Sequence, residues 1–123
     1  GVSIAASACF KHDIIRGPHR SRPLRDLTRE AQALCKLGVR ELILVAQDLA
    51  SWGADLRGKP LLSDLVEALA HVAGVEWLRL MYLFPPRLPE RLIRVIAERK
   101  NVLPYLDLPF QHVDAGILRR MKR

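Results

Sequence analysis

Gly38-Val39-Arg40-Glu41-Leu42-Ile43-Leu44-Val45-Ala46-Gln47-Asp48 is the stretch on which the reading of the fold turns. Leu42 to Ala46 is an unbroken apolar run of strand length, the pattern of a parallel strand covered on both faces rather than of a hairpin strand with one wet side. Gly38 marks the end of a helix before it. Upstream, Leu24, Leu27, Ala31, Leu34 and Cys35 share one face at helical spacing, and Pro23 suits the first turn because its missing N–H would have no partner there. Downstream the alternation repeats. A 14-residue stretch from Gln47 to Pro60, long enough to mark a functional or mobile connection, leads to a stripe of Leu62, Leu65, Val66, Leu69 and Ala73 that Gly74 stops. Val75 to Leu83 reads as a second strand with Arg79 as its only interior charge. Pro89 opens a helix carrying Leu88, Leu92, Val95 and Ile96. Val102 to Leu106 is a third, shorter strand, and Asp114 can cap a last helix with Ile117, Leu118 and Met121.

Each crossover exceeds the roughly dozen residues that parallel pairing needs. The expected fold class is therefore α/β: a parallel sheet of about three strands, right-handed connections and helices on the outside. Three strands apolar on both faces do not complete a domain, so the chain reads as part of a larger (β/α) unit with marginal stability alone. Residues 1–22 read as an irregular basic segment and residues 23–123 as the partial core.

With 123 residues the chain has room for one domain. Its net charge of +7 is unevenly placed. Residues 1–40 hold eight cations against three acids, 41–118 hold eight against ten, and the last five positions add four cations. Basic ends favour encounter with acidic partners through electrostatic steering, without base readout. A solvated basic surface is the favoured reading of them over a nucleic-acid site, and the seven aromatics are too scattered for an RNA-stacking platform. No apolar run approaches the roughly 20 residues that span a bilayer, and the opening ten residues lack the basic start of a signal peptide. No membrane is implied; the expected setting is the cytoplasm. Two cysteines, Cys9 and Cys35, build neither a disulfide framework nor a structural zinc site.

In parallel (β/α) folds reactive groups collect where the βα loops leave the strands. That rule brings Gln47 and Asp48 from the first strand, Tyr82, Phe84 and Pro85-Pro86 from the second, and Asp107, Pro109, Gln111 and His112 from the third to one rim. Taken singly, Asp48 or Asp107 reads as a cap and His112 as an ordinary surface histidine. Together their amide, carboxylate and imidazole groups suit a polar small molecule. Other chemistries lack their signatures. Gly53 and Gly58 are not a phosphate loop, Ser51 and Ser63 lack a nucleophile elbow, and Cys9 near His12 is better read as an incidental thiol.

Four strings, in order, resemble the radical S-adenosylmethionine methylthiotransferases. They are Ile15-Arg16-Gly17 with Arg20-Ser21-Arg22-Pro23, the Gly38-to-Asp48 stretch, Tyr105-Leu106-Asp107-Leu108-Pro109-Phe110-Gln111-His112, and Leu118-Arg119-Arg120-Met121. Their spacing fits from residue 14 onward. Ala46-Gln47-Asp48 and Gln111-His112 are more similar to the RimO-type branch, which acts on an aspartate of a small-subunit ribosomal protein, than to the tRNA-modifying branch. The resemblance implies a partial radical-SAM (β/α) barrel with S-adenosylmethionine over its rim, bound by Gln47, Asp48, Tyr82, Gln111 and His112. It also implies a four-iron four-sulfur cluster held by three cysteines. Counting back from Arg20 puts those positions at Ser3, Ser7 and Phe10, with Cys9 one residue off. Serine is a poor iron ligand and phenylalanine none, and three thiolates are required. Residues 1–22 thus lie at a degenerate cluster loop, no metal ligand is assigned, and the chain alone is expected to be inactive. Asp114-Ala115-Gly116 also departs from the family's Ser-Asp-Arg. About half of the family's core is covered, without the remaining barrel units or flanking domains. The competing expectation is a non-catalytic basic module that holds RNA or a ribosomal surface through residues 16–29 and 119–123.

Overall fold

A computed structural model describes residues 2–5, 19–46, 48–83, 88–108 and 114–120. Apolar strands and amphipathic helices alternate along them: β1 (Val2–Ala5), α1 (Leu24–Lys36), β2 (Glu41–Val45), a 3-10 turn (Leu49–Ser51), α2 (Leu62–Ala70), β3 (Trp77–Leu80), α3 (Glu90–Glu98), β4 (Val102–Leu106) and α4 (Ala115–Arg120). The sheet runs β1-β2-β3-β4, every pair parallel. Strand order that follows chain order has a topological consequence. Right-handed crossovers then all return on the same side, so the helices line one face, as in a barrel segment. A doubly wound sheet would need the order to reverse.

Burial follows from that layout. Ile4, Leu42, Leu44, Leu78, Leu80 and Val102 are essentially sealed beneath Leu27, Ala31, Leu65, Leu69, Leu92 and Ile96 of the helices. Along β2 the sealed residues alternate with the half-buried Ile43 and Val45, which look toward the other face. The expectation of a strand covered on both faces is met on one side and half met on the other. On that open face Arg79 donates two hydrogen bonds, 3.1 and 3.0 Å, to Glu41 Oε1, and its guanidinium lies 5.5 Å from the centre of the Tyr105 ring.

Four differences from the sequence-based expectation have local causes. The sheet has four strands rather than three, because Val2–Ala5, within the segment read as irregular, pairs with β2 in register Val2↔Leu42 through Ala5↔Val45 and buries Ile4 completely. The first expected strand shifts back by one residue, to Glu41–Val45. The strand expected over Val75–Leu83 shortens to Trp77–Leu80: Glu76 and Trp77 both turn their N–H groups to the Arg40 carbonyl at one end, and Tyr82 adopts φ +58° at the other. Helix α2 ends at Ala70, before Ala73, in tight turns that reach Gly74 at φ +95°.

Other expectations hold. Helix α1 begins on Pro23, whose carbonyl accepts the N–H groups of Asp26 and Leu27 at 3.0 and 3.2 Å, and it closes at Gly38, φ +90°. Asp114 Oδ1 accepts the Ile117 N–H at 2.8 Å, capping α4. The stretch after β2 is packed: Leu49 and Trp52 are buried, and Gly53 is irreplaceable, since at φ +89° a Cβ would lie 2.0 Å from the Pro60 carbonyl oxygen. Between the pairs Leu78↔Val102 and Leu80↔Leu106, β4 carries two more residues than β3, and Pro104, which has no N–H to give the ladder, sits inside that irregularity.

Candidate functional site

The C-terminal rim of the sheet is built by the residues that leave β2, β3 and β4. Asp48 follows β2 at the N-terminal position of the 3-10 turn: Ser51 Oγ donates to Asp48 Oδ2 at 2.6 Å, and the Ser51 N–H reaches the Asp48 carbonyl at 3.3 Å. The next residue, Leu49, donates its N–H to the Tyr82 carbonyl at 3.4 Å. Tyr82 in turn donates its N–H to Asp107 Oδ2 at 3.1 Å, and Leu83 donates to the Asp107 carbonyl at 3.0 Å. Three consecutive strand exits are therefore stitched edge to edge, and Tyr82 stands on this rim 54% exposed. The structure thus brings together Asp48, Tyr82 and Asp107. Gln47, Phe84, Pro85, Pro86, Pro109, Gln111 and His112 lie outside the described residues, as do Cys9 and His12.

A second polar knot ties the approach to α1 against the loop after β2. Ser21, only 8% exposed, accepts the buried Gly53 N–H on its Oγ at 2.9 Å and gives its own N–H to Asp55 Oδ2 at 2.8 Å. Trp52 Nε1 donates to the Arg22 carbonyl at 3.0 Å. His19 Nε2 lies 3.1 Å from Ser21 Oγ and 3.6 Å from Asp55 Oδ1. Serine, histidine and aspartate in contact invite a nucleophile reading. The geometry opposes it, because both contacts use the same ring nitrogen, whereas a catalytic relay orients the base through its other nitrogen. Burial would raise the Asp55 carboxyl; hydrogen bonds from the Ser21 side chain and backbone, with His19 nearby, outweigh it and hold the group below its usual 3.8. The knot is structural. Nothing in the basic run 16–22 signals it beyond one serine among arginines.

Against this background the likeness to known proteins is specific. No family model matches the chain. Curated relatives do: the ribosomal protein uS12 methylthiotransferase RimO of Moorella thermoacetica is 49% identical over 109 residues, 89% of this chain and 25% of that protein. The protein of the same name from Syntrophus aciditrophicus is also 49% identical over 109 residues, 89% of this chain and 24% of its own length. Over 89% of its length the chain matches RimO-type methylthiotransferases. The RimO of Symbiobacterium thermophilum aligns with all of it, 46% identical over 123 residues and 25% of the relative. This chain thus spans about a quarter of the length of the RimO relatives it matches.

Within this RimO-type segment Cys35 sits far from the rim. It lies in the last turn of α1, where a Cβ on Gly74 would come within 3.1 Å of its Cβ and 3.6 Å of its Sγ. Gly74 and the end of α1 precede β3 and β2, so Cys35 belongs to the N-terminal edge of the sheet, a full strand length from Asp48 and Tyr82. Among the described residues no group of three or more His, Cys, Asp or Glu side chains is arranged to hold a metal ion. Nor is any helix among them long and apolar enough to cross a membrane. The arginine-rich start of α1 is partly neutralised where it is described: Arg22 pairs with Glu30 and Arg25 with Asp26.

Proposed function

We propose that this chain is the core segment of a RimO-type methylthiotransferase, that its strand-end rim takes S-adenosylmethionine, and that the complete enzyme modifies an aspartate side chain of a small-subunit ribosomal protein in the cytoplasm. The observation that carries this reading is the meeting of Asp48, Tyr82 and Asp107, from three separate strand exits, on one rim of a parallel sheet whose sequence is shared with proteins named RimO. S-adenosylmethionine would supply the methyl group and the radical precursor. In this reading Gln47 and Asp48 face its methionine end, where an ammonium and a carboxylate need complementary polar partners. Tyr82, Gln111 and His112 are the further residues this reading assigns to the ligand.

The residues present do not fit the iron–sulfur cluster that such chemistry uses. Three thiolates are needed to hold three irons of a four-iron cluster. These 123 residues contain two cysteines, and Cys35 is packed at the opposite edge of the sheet. No radical step is therefore assigned to this chain, and its expected activity alone is nil. Anaerobic reconstitution with ferrous iron and sulfide is expected to leave it without the brown thiolate–iron absorption; stable uptake of about four irons per chain would overturn the assignment.

Isothermal titration of the full chain with S-adenosylmethionine tests the rim. One saturable site is expected, weakened about tenfold by Asp48→Ala, a loss of about 1.4 kcal/mol. Heat that never saturates, or equal affinity in the variant, would refute the site. The competing reading, a basic module for RNA, predicts instead an affinity for RNA that falls steeply with salt. The acidic partners of Arg22 and Arg25 weigh against it.

A further inference from the structure

Tyr82 and Lys59 are the two non-glycine residues with positive φ among those described, at +58° and +45°. Lys59 lies in a tight turn after Gly58, its N–H on the Leu56 carbonyl at 3.0 Å. Tyr82 is different. A bulky side chain is disfavoured in the left-handed region because its Cβ crowds the following carbonyl oxygen, and such a residue persists where its surroundings hold it. Here the hold comes largely from one residue. Asp107, one position beyond the end of β4, accepts the Tyr82 N–H on its side chain and the Leu83 N–H on its backbone carbonyl, gripping both residues of the turn. The two extra residues in β4 bring Asp107 level with that turn.

We infer that Asp107 is a positioning residue: it holds Tyr82 in the left-handed conformation and so presents the tyrosine at the strand-end rim for contact with ligand. The ligand half of this inference rests on the S-adenosylmethionine reading above; the conformational half does not. A carboxylate is not essential to the grip, only an acceptor oxygen at Oδ, so asparagine can replace aspartate while alanine cannot. Glycine at position 82 adopts the same backbone without being held.

The test uses the isotope-labelled full chain and its Asp107→Ala, Asp107→Asn, Tyr82→Ala and Tyr82→Gly variants. In Asp107→Ala the Tyr82 amide proton is expected to exchange with solvent at least tenfold faster, while the amides of Leu44 and Leu78 keep their protection. Asp107→Asn is expected to retain slow exchange. Titrated with S-adenosylmethionine, Asp107→Ala should raise Kd about tenfold, Tyr82→Ala similarly, and the pair of changes together little more than either, with Asp107→Asn within about threefold of the unaltered chain. Should Asp107→Ala fail to fold, the same change made with Tyr82→Gly is expected to fold, because glycine needs no clamp; failure there too would overturn the inference. An unchanged Tyr82 exchange rate in Asp107→Ala would also overturn it, as would full additivity of the two affinity losses. If the unaltered chain does not bind S-adenosylmethionine, the site reading and the ligand half fall together, and amide exchange alone still decides whether Asp107 holds Tyr82.

Discussion

Ser21 carries more of the local structure than its size suggests, since its Oγ is the acceptor for a buried backbone N–H and its N–H is bound to Asp55. Ser21→Ala leaves the Gly53 N–H buried and unpaired, and urea unfolding is expected to show a loss of about 1–3 kcal/mol. Gly53→Ala should do worse, about 3 kcal/mol or more, because it combines a positive φ with a steric overlap against the Pro60 carbonyl. Two carboxyls also link stability to pH. Asp55 is held low by Ser21 against the opposing effect of burial, and Glu67 is held low first by its hydrogen bond from Arg99, 2.8 Å long, then by the charges of Arg99, Arg91 and His71. A carboxyl lowered in the folded state contributes stability above its unfolded value, and that contribution disappears as pH falls through the lowered folded value. Thermal melting should therefore weaken on acidification below about pH 4, and Asp55→Asn should flatten part of that slope. Both side chains keep about a third of their surface open to solvent, 32% for Asp55 and 36% for Glu67, and screening there keeps the effect small.

At the scale of elements the two faces of the sheet should respond differently to truncation. Leu44→Ala and Leu78→Ala empty sealed positions and are expected to cost about 2–5 kcal/mol each. Ile43→Ala, on the half-buried face, should cost clearly less in the same denaturation experiment; equal losses would mean that both faces are equally packed. The helices, and the helix ends marked by Pro23, Gly38 and Asp114, were legible in the sequence because those signals act locally; the end of α2, three residues before Ala73, was not. Strand β1 was not, since four residues carry too little alternation and only pairing with β2 makes Ile4 a core residue. The extents of β2 and β3 were misjudged because an apolar run does not reveal where the ladder stops. At the rim, periodicity placed Asp48, Tyr82 and Asp107 on one edge, but the left-handed turn at Tyr82 depends on a contact 25 residues away and leaves no mark in either segment. The Ser21 knot, which joins positions more than 30 apart, was invisible for the same reason.

For the whole molecule, similarity and topology point the same way. A consecutive parallel sheet with helices on one face is a barrel segment, and the chain's stretch of the RimO relatives is a quarter of their length. The other face offers Ile43, Val45 and Met81 half-buried, with Trp77 and Tyr105 about half exposed. Such a face contributes little burial, so the isolated chain should unfold at low urea concentration with a broad transition; a sharp two-state melt would argue that this segment is self-sufficient. Nuclear magnetic resonance mapping shows directly whether the rim binds ligand. On titrating the labelled chain with S-adenosylmethionine, the amides of Asp48, Tyr82 and Asp107 should shift and saturate together while those of Cys35 and Trp77, at the opposite edge, stay in place. Shifts confined to the Cys35 edge, or none at all, would mean that the rim is not the S-adenosylmethionine site.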